Sequence, residues 1–366
     1  MNIKEHIQRL KTYRHVRYMW VPYTDTVVTV VSNPSDAAVG SMDDKAASRM
    51  TGQAVNDDDL KALLSNKTHS SAPSESPTKP LSDLLLSLDS SLDPTQTSLL
   101  SFSQLRDQLL GIAPLDLSHI KKVNAAEAEF WKASQGTRLG DSTDILGFDC
   151  GGEQLVMEFC FPIGTLEDMN KNGSEEGGKN VNVMNGKDIA FVERLLTLVE
   201  RAGIPAPSPV EQRWTASSSA CMSPAYAENA EDKQIFSWVG VIMYLPPNQT
   251  DEQRSAIKTS FEGYLELIQP LLEEYDAHAH WAKIALPSDE PPTITPITNT
   301  PWYASFTTKK EATLQSIPYD QKVLNIRSRL ASRYPLKEFN AYRGALDPYN
   351  IYSNKLIDVL ISPEEE

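Results

Sequence analysis

An α+β fold, a mainly antiparallel sheet covered by helices, is the architecture this sequence predicts, and three observations predict it. Runs of β-branched, aromatic and other apolar residues at 19–31, 153–161 and 235–245 read as strands. Apolar stripes of helical period run through 187–202 and 251–275. Strands and helices do not alternate as regular βαβ units, so a parallel sheet with crossover helices is not indicated. A hydrophobic content of 40% with 8% aromatic residues over 366 positions supports a substantial core. The 49 acidic against 34 basic residues give a net charge of -15, which repels phosphate backbones and anionic lipid headgroups and argues against a nucleic-acid partner.

In chain order, MNIKEHIQRLKTYRHVRYMW is a basic helical start without the apolar block of a signal peptide. Residues 19–31 follow as one strand carrying Val27, Val28, Val30 and Val31. Residues 1–32 therefore open the fold. Residues 33–98, with SSAPSESPTKP at their centre, are too poor in apolar side chains to offset the entropy of ordering, and read as a disordered insert interrupted by a short amphipathic helix at 81–88.

The main folded region spans 99–332. Ser101 is placed to cap one helix, and SHIKKVNAAEAEFWKAS forms a second with Ile120, Val123, Ala126 and Phe130 on one stripe. EQLVMEFCF is a strand, followed by a loop rich in glycine and asparagine, then a helix over 187–202 that Gly203 ends. IPAPSPVEQRW leads by a proline-stiffened entry into another strand, and IFSWVGVIMYL is a central one. The helix over 251–275 buries Ile257, Phe261, Leu265, Ile268 and Leu272, with Pro270 expected to bend it. A proline-rich connector precedes a helix at 320–332, and the tail from 334 to 360, within a C-terminal segment 333–366, reads mostly as turns.

No run approaches the roughly 20 apolar residues that span a bilayer. Cys150, Cys160 and Cys221 have no CxxC spacing, so neither a zinc site nor a disulfide framework is indicated, and no metal is expected. G-x-G-x-x-G, Walker, G-x-S-x-G and H-E-x-x-H motifs are missing from the sequence.

Three constellations carry possible chemistry. In EQRW, a strand puts Glu211 and Arg213 on one face, so a carboxylate and a guanidinium stand where one hydroxyl can meet both. By residue type alone the plainer reading is an ordinary ion pair on a sheet. In HWAK, His280 and Lys283 follow the long helix; His278 and His280 lack the further ligands a metal needs, and an interfacial histidine with a solvated lysine is the plainer reading. The tail FNAYRGALDPYNIYSN holds Asn350 and Asn354 among turn formers.

The stretches YMWVPYTDTVVTVVSNP, LRDQLLGIAPLDLSHIKKVNAAEAEFWKASQGTRLG, DILGFDCGG, IPAPSPVEQRWTASS, MSPAY, IFSWVGVIMYLP, HWAKI and YPLKEFNAYRGALDPYNIYSNKLIDVL resemble, in this order, the C-terminal half of the aldonolactone oxidoreductases. This group, which includes D-arabinono-1,4-lactone oxidase, belongs to the vanillyl-alcohol-oxidase flavoproteins, and the likeness is strongest to its plant-type L-galactono-1,4-lactone dehydrogenases. The resemblance implies a two-domain enzyme in which an N-terminal domain holds FAD and a cap domain covers the flavin ring and shapes the substrate pocket. This chain is then expected to be the cap half, its flavin domain lying outside it through an incomplete gene model or a shortened protein. Residues 333–366 are expected to return toward the flavin site. Carried over by resemblance, Glu211 and Arg213 are the acid–base pair at the lactone hydroxyls, Lys283 and His280 line the same pocket, and Asn350 and Asn354 face the flavin.

The implied reaction is FAD-dependent oxidation of an aldono-1,4-lactone, with cytochrome c or oxygen as electron acceptor, as in ascorbate-type biosynthesis. Respiratory-complex assembly partners and the mitochondrial inner membrane, facing the intermembrane space, belong to the same picture. The alternative expectation is a non-catalytic fragment or interaction module. The sequence departs from the plant-type pattern at TASSS after EQRW, at EQLVME and in the Ser-rich insert, which bears on substrate preference more than on reaction class.

Overall fold

The computed structural model describes residues 2–34, 76–137, 139–147, 152–165, 186–227, 234–284, 286 and 319–362. Most of the loop expected over 165–186, nearly all of the proline-rich connector expected over 286–301 and most of the insert fall outside them.

The chain begins with α1 (Ile3–Thr12), whose N-cap Asn2 accepts from the Lys4 amide. Next come β1 (His15–Trp20) and β2 (Val27–Ser32), an antiparallel pair with Trp20 opposite Val27. The single strand expected over 19–31 is thus corrected to a hairpin. Pro22 removes a ladder donor and Tyr23 takes a left-handed φ of 63°, so the backbone turns where the apolar pattern alone reads through.

From Ser76 onward the insert is part of the fold, which corrects the disordered segment expected up to residue 98. The helix expected at 81–88 is α2 (Lys79–Leu88), and Leu81 and Leu85 are buried. A turn of helix, α3 (Pro94–Thr97), leads to α4 (Phe102–Ile112) and α5 (Leu117–Ala133). Ser101 and Gln104 form a reciprocal capping box at the start of α4, as the expected cap required. The short α6 (Ser142–Leu146) precedes β3 (Glu153–Thr165), where a register shift between Pro162 and Gly164 is accommodated by the φ of 107° at Gly164.

The remaining elements are α7 (Lys187–Ala202), β4 (Val210–Ala216), β5 (Gln234–Leu245), α8 (Asp251–Tyr275) and β6 (His278–Ala279). Gly203, at φ 68°, closes α7 in the left-handed conformation expected of it. Helix α8 runs through Pro270 without interruption. A 3-10 turn (Trp281–Lys283) follows β6, and α9 (Tyr319–Arg333), α10 (Leu336–Leu346) and α11 (Lys355–Leu360) complete the chain. The tail expected as turns is therefore corrected to two helices. The buried Leu360 and Ile361 help anchor it to the core, which supplies packing that turn-forming residues do not advertise.

The six strands form one antiparallel sheet in the order β2-β1-β4-β5-β3-β6. This is the α+β architecture that the sequence predicts. On one face Tyr18, Trp20, Val210, Val239, Val241, Phe159 and Phe161 pack with Phe191, Leu195, Phe261 and Ile268 of α7 and α8 in the main core. Each fully buried side chain of this kind contributes about 1.5–3 kcal/mol.

The opposite face is covered in two separate places. Ile242 and Tyr244 of β5 lie under α2, α4 and α5 at one end, while Phe236, Trp238 and Cys160 meet Ala225 at the other. The middle of that face holds the polar side chains described next.

Candidate functional site

Registers across β1, β4, β5 and β3 fix which residues share the second face. Arg17 pairs with Arg213, Arg213 with Trp238 and Trp238 with Cys160, so these four form one transverse row. The next row on the same face is Met19, Glu211, Gly240 and Glu158. The two rows bring two carboxylates and two guanidinium groups together from three strands far apart in sequence.

Glu158 is the best-held group among them. Its carboxylate accepts from Arg213 Nε at 2.6 Å and Arg213 Nη2 at 2.9 Å, a two-pronged pair, and Lys283 Nζ stands 3.2 Å from its second oxygen. Its side chain is only 5% exposed, whereas those of Arg213 and Lys283 are 40% and 39% exposed. Burial pushes the Glu158 carboxyl up, but the Arg213 hydrogen bonds and charge, with Lys283, outweigh it and hold its pKa below the usual carboxylate value. Arg213 gains the complementary stabilisation: burial opposes its charge, and Glu158 with Glu211 more than restores it.

Glu211 is in the opposite situation. Its nearest recorded cation is Arg17, with Nη1 3.6 Å from Oε1, beyond good hydrogen-bond geometry. Burial raises its pKa, Arg17 offsets this only in part, and the negative charge of Glu158 adds to the rise. One carboxylate is thus neutralised by built-in partners, and the other has its proton affinity raised.

Local structure explains how the remaining side chains are placed. The Trp238 ring lies 4.7 Å beneath the Arg213 guanidinium, and its Nε1 donates to Thr215 Oγ1 at 2.8 Å. The backbone N–H of His280 donates to the Glu158 carbonyl at 2.8 Å, so the segment carrying Lys283 is pinned to β3. The His280 ring accepts from the Ala282 amide through Nδ1 at 3.2 Å and stands 5.7 Å from the Trp238 ring. Burial lowers the His280 pKa, with the charge of Glu158 opposing it and those of Lys283 and Arg213 adding to it. His280 therefore shapes the turn that presents Lys283.

Beneath β4, on the core face, a buried polar network fixes the strand. Gln212, between Glu211 and Arg213 in sequence, accepts from Trp20 Nε1 at 3.1 Å and donates to the Asp188 carbonyl and to Ser237 Oγ, each at 3.1 Å. Asp188 Oδ2 accepts from Trp214 Nε1 at 2.7 Å and lies 2.9 Å from His6 Nε2, whose Nδ1 is 3.0 Å from the Tyr18 hydroxyl. A carboxylate only accepts, so a neutral His6 carries its proton on Nε2 and receives the Tyr18 hydroxyl at Nδ1.

Of the residues singled out in the sequence, Glu211, Arg213, His280 and Lys283 come together here, but Glu211 and Arg213 are not each other's principal partners. The recorded ion pairs run from Arg213 to Glu158 and from Glu211 to Arg17. Glu158 and Arg17 escaped the sequence reading. The available signal was a carboxylate inside the apolar run LVMEFCF, two positions from Cys160, and an arginine alternating with Tyr18 in β1.

Asn350 and Asn354 lie on the tail between α10 and α11, not among the strand residues. Asn354 caps α11 by accepting from the Ile357 amide at 3.0 Å, and Asn350, at φ 53°, accepts from Arg343 Nη2 at 3.2 Å. His278 stands 3.3 Å from Asp276, and among the described residues no group of three or more His, Cys, Asp and Glu side chains is placed to hold a metal. Cys160 is buried, which raises its pKa.

Residues 181–360 match the family model described as D-arabinono-1,4-lactone oxidase. The chain is 36% identical over 364 residues to a mitochondrial L-galactono-1,4-lactone dehydrogenase of Brassica oleracea, covering 98% of this chain and 50% of that protein. It is 37% identical over 360 residues to the mitochondrial L-galactono-1,4-lactone dehydrogenase of Arabidopsis thaliana, covering 98% and 49%. The chain thus spans about half the length of these relatives. Among solved structures, a cholesterol oxidase from B. sterolicum aligns with a TM-score of 0.44 and 14% identity over 98% of this chain and 55% of the other. Among the described residues no helix is long and apolar enough to cross a membrane.

Proposed function

We propose, from the match of residues 181–360 to the D-arabinono-1,4-lactone oxidase family model, that this chain carries the substrate site of an FAD-dependent aldono-1,4-lactone oxidoreductase. The observation that carries the reading is the division of labour between the two carboxylates, with Glu158 neutralised by Arg213 and Lys283, and Glu211 left with a raised pKa beside them. Oxidising a secondary alcohol needs a base for the hydroxyl proton and positive charge for the developing alkoxide. Glu211 is the base in this reading. Arg213, held over the Trp238 ring, donates to the same hydroxyl oxygen, and Lys283 adds a second cation.

When bound, FAD would supply the two-electron acceptor for the hydride of the carbon bearing that hydroxyl. The donor set suits the reacting end of such a ring: Arg17, Arg213 and Lys283 against Glu158 and Glu211 leave one net positive charge, which favours an electron-rich reduced acceptor. The sequence offers no G-x-G-x-x-G turn for a pyrophosphate, so these residues are assigned to substrate and ring. Asn350 and Asn354 stay assigned to the flavin side, on a tail that also exposes Tyr349, Ile351 and Tyr352. As the hydroxyl proton passes to Glu211 and the hydride leaves, the alcohol becomes a ketone. Beside a lactone carbonyl that ketone enolises to an enediol.

The substrate class is a five-membered lactone of the L-galactono or D-arabinono type, with cytochrome c or oxygen reoxidising the flavin. The relatives are named mitochondrial, and the same compartment is assigned to this protein, at the inner membrane facing the intermembrane space. The test is reduction of a dye by the flavin-loaded protein with each lactone, alone and as Glu211→Gln and Arg213→Lys. Flavin-loaded protein that reduces no dye with either lactone would refute the proposal.

A further inference from the structure

Gly240 interrupts the apolar run of β5, IFSWVGVIMYL, at the centre of the sheet. Glycine in a strand interior weakens the strand by roughly 0.5–1 kcal/mol relative to alanine, so its presence calls for a reason. Conformation is not that reason, because Gly240 is not among the glycines with positive φ. Local packing is not the reason either. A Cβ built at this position would find only Glu211 Cβ at 3.9 Å and the Met157 carbonyl at 4.0 Å, ordinary contacts. The Arg213–Glu158 bridge that crosses β5 leaves this space open as well, since no atom of either side chain comes within 4 Å of the added carbon.

What the missing side chain does leave is a position without a side chain in the row between Glu211 and Glu158. Gly240 stands between them in register, one strand from each, in the row next to Arg213 and Trp238. We infer that Gly240 is a specificity-determining residue: it forms the floor of the slot that receives the lactone edge bearing the hydroxyl adjacent to the carbonyl, held between Glu211 and Arg213. This rests on the lactone reading above. It adds a residue with no functional group, recognised because neither its backbone nor its neighbours require a glycine.

The test compares wild type with Gly240→Ala and Gly240→Val, titrating D-arabinono-1,4-lactone and its 2-deoxy counterpart by calorimetry without electron acceptor, alongside thermal melting. A methyl group in a shaped pocket changes discrimination by roughly 10-fold or more. Gly240→Ala is expected to melt at or above the wild-type temperature while its dissociation constant for the hydroxylated lactone rises about 10-fold. The constant for the 2-deoxy lactone should move by less than 3-fold, because the added methyl then occupies space that hydroxyl would have filled. Gly240→Val is expected to abolish binding of the hydroxylated lactone. Equal losses for both lactones, or unchanged binding in Gly240→Ala, would overturn the inference while leaving the lactone reading intact. Wild type that binds neither lactone would sink both.

Discussion

Replacing each carboxylate of the site by glutamine perturbs stability in opposite directions. Glu158→Gln removes a charge that is 5% exposed and accepts three short contacts, at 2.6, 2.9 and 3.2 Å, from Arg213 and Lys283. Breaking a fully buried pair in this way costs about 3–5 kcal/mol. Here the cations are 40% and 39% exposed and water takes over part of their solvation, so the expected cost falls to about 2 kcal/mol. In melting temperature that is about 4–8 °C. Glu211→Gln instead removes a charge that burial disfavours and that Arg17 meets only at 3.6 Å, and is expected to stabilise by ~0.5 kcal/mol while abolishing lactone oxidation.

The pH dependence follows from the two directions of shift. Glu158 has a folded pKa below its unfolded value of about 4.3, so its contribution is complete above that value and is lost as pH falls through the folded pKa. The gap between wild type and Glu158→Gln therefore closes in acid. Glu211 has a raised folded pKa, so its relative contribution is present below about 4.3 and lost as pH rises through the folded value. Wild type should gain on Glu211→Gln as pH falls. Urea unfolding at pH 7.5 and at pH 4 measures both differences. Equal destabilisation by the two substitutions at pH 7.5 would refute the assignment of one carboxylate as neutralised and the other as poised.

Further outcomes are expected elsewhere. Arg213→Lys keeps the charge but loses the two-pronged geometry on Glu158, and KM for lactone should rise roughly 10-fold with a smaller change in kcat. His6→Ala leaves a cavity and strips a partner from both Asp188 and Tyr18, all in the core, and should cost about 3–5 kcal/mol in urea unfolding. Thr250→Ala dismantles the capping box of α8 and should cost about 1 kcal/mol without altering lactone binding, which makes it a control for stability loss remote from the site.

Much of this architecture was written in local pattern. The stripe of Ile189, Val192, Leu195 and Val199 dictates α7 and its buried face, and Gly203 ends it because a left-handed residue is needed there. The parity of Glu211 and Arg213 in a strand put both on one face whatever their partners were. Pattern failed where the deciding contacts are distant. Residues 334–360 look like turns because short helices of weak amphipathicity are stabilised by docking, here through Leu360 and Ile361. Residues 19–31 look like one strand because strand-forming apolar residues, MWV before the turn and VVTVV after it, stand on both sides of it.

The site divides in the same way. Local sequence determined the residue types, their alternation along β4 and the likeness to aldonolactone oxidoreductases. The pairing was decided only by the sheet, because register sets which side chains face one another across strands. Glu158 reaches Arg213 over the intervening β5, and Arg17 approaches Glu211 from β1, across sequence separations that no local spacing encodes. Burial, which raises the proton affinity of both carboxylates, and the Arg213 and Lys283 contacts that reverse it at Glu158, exist only once those strands are assembled.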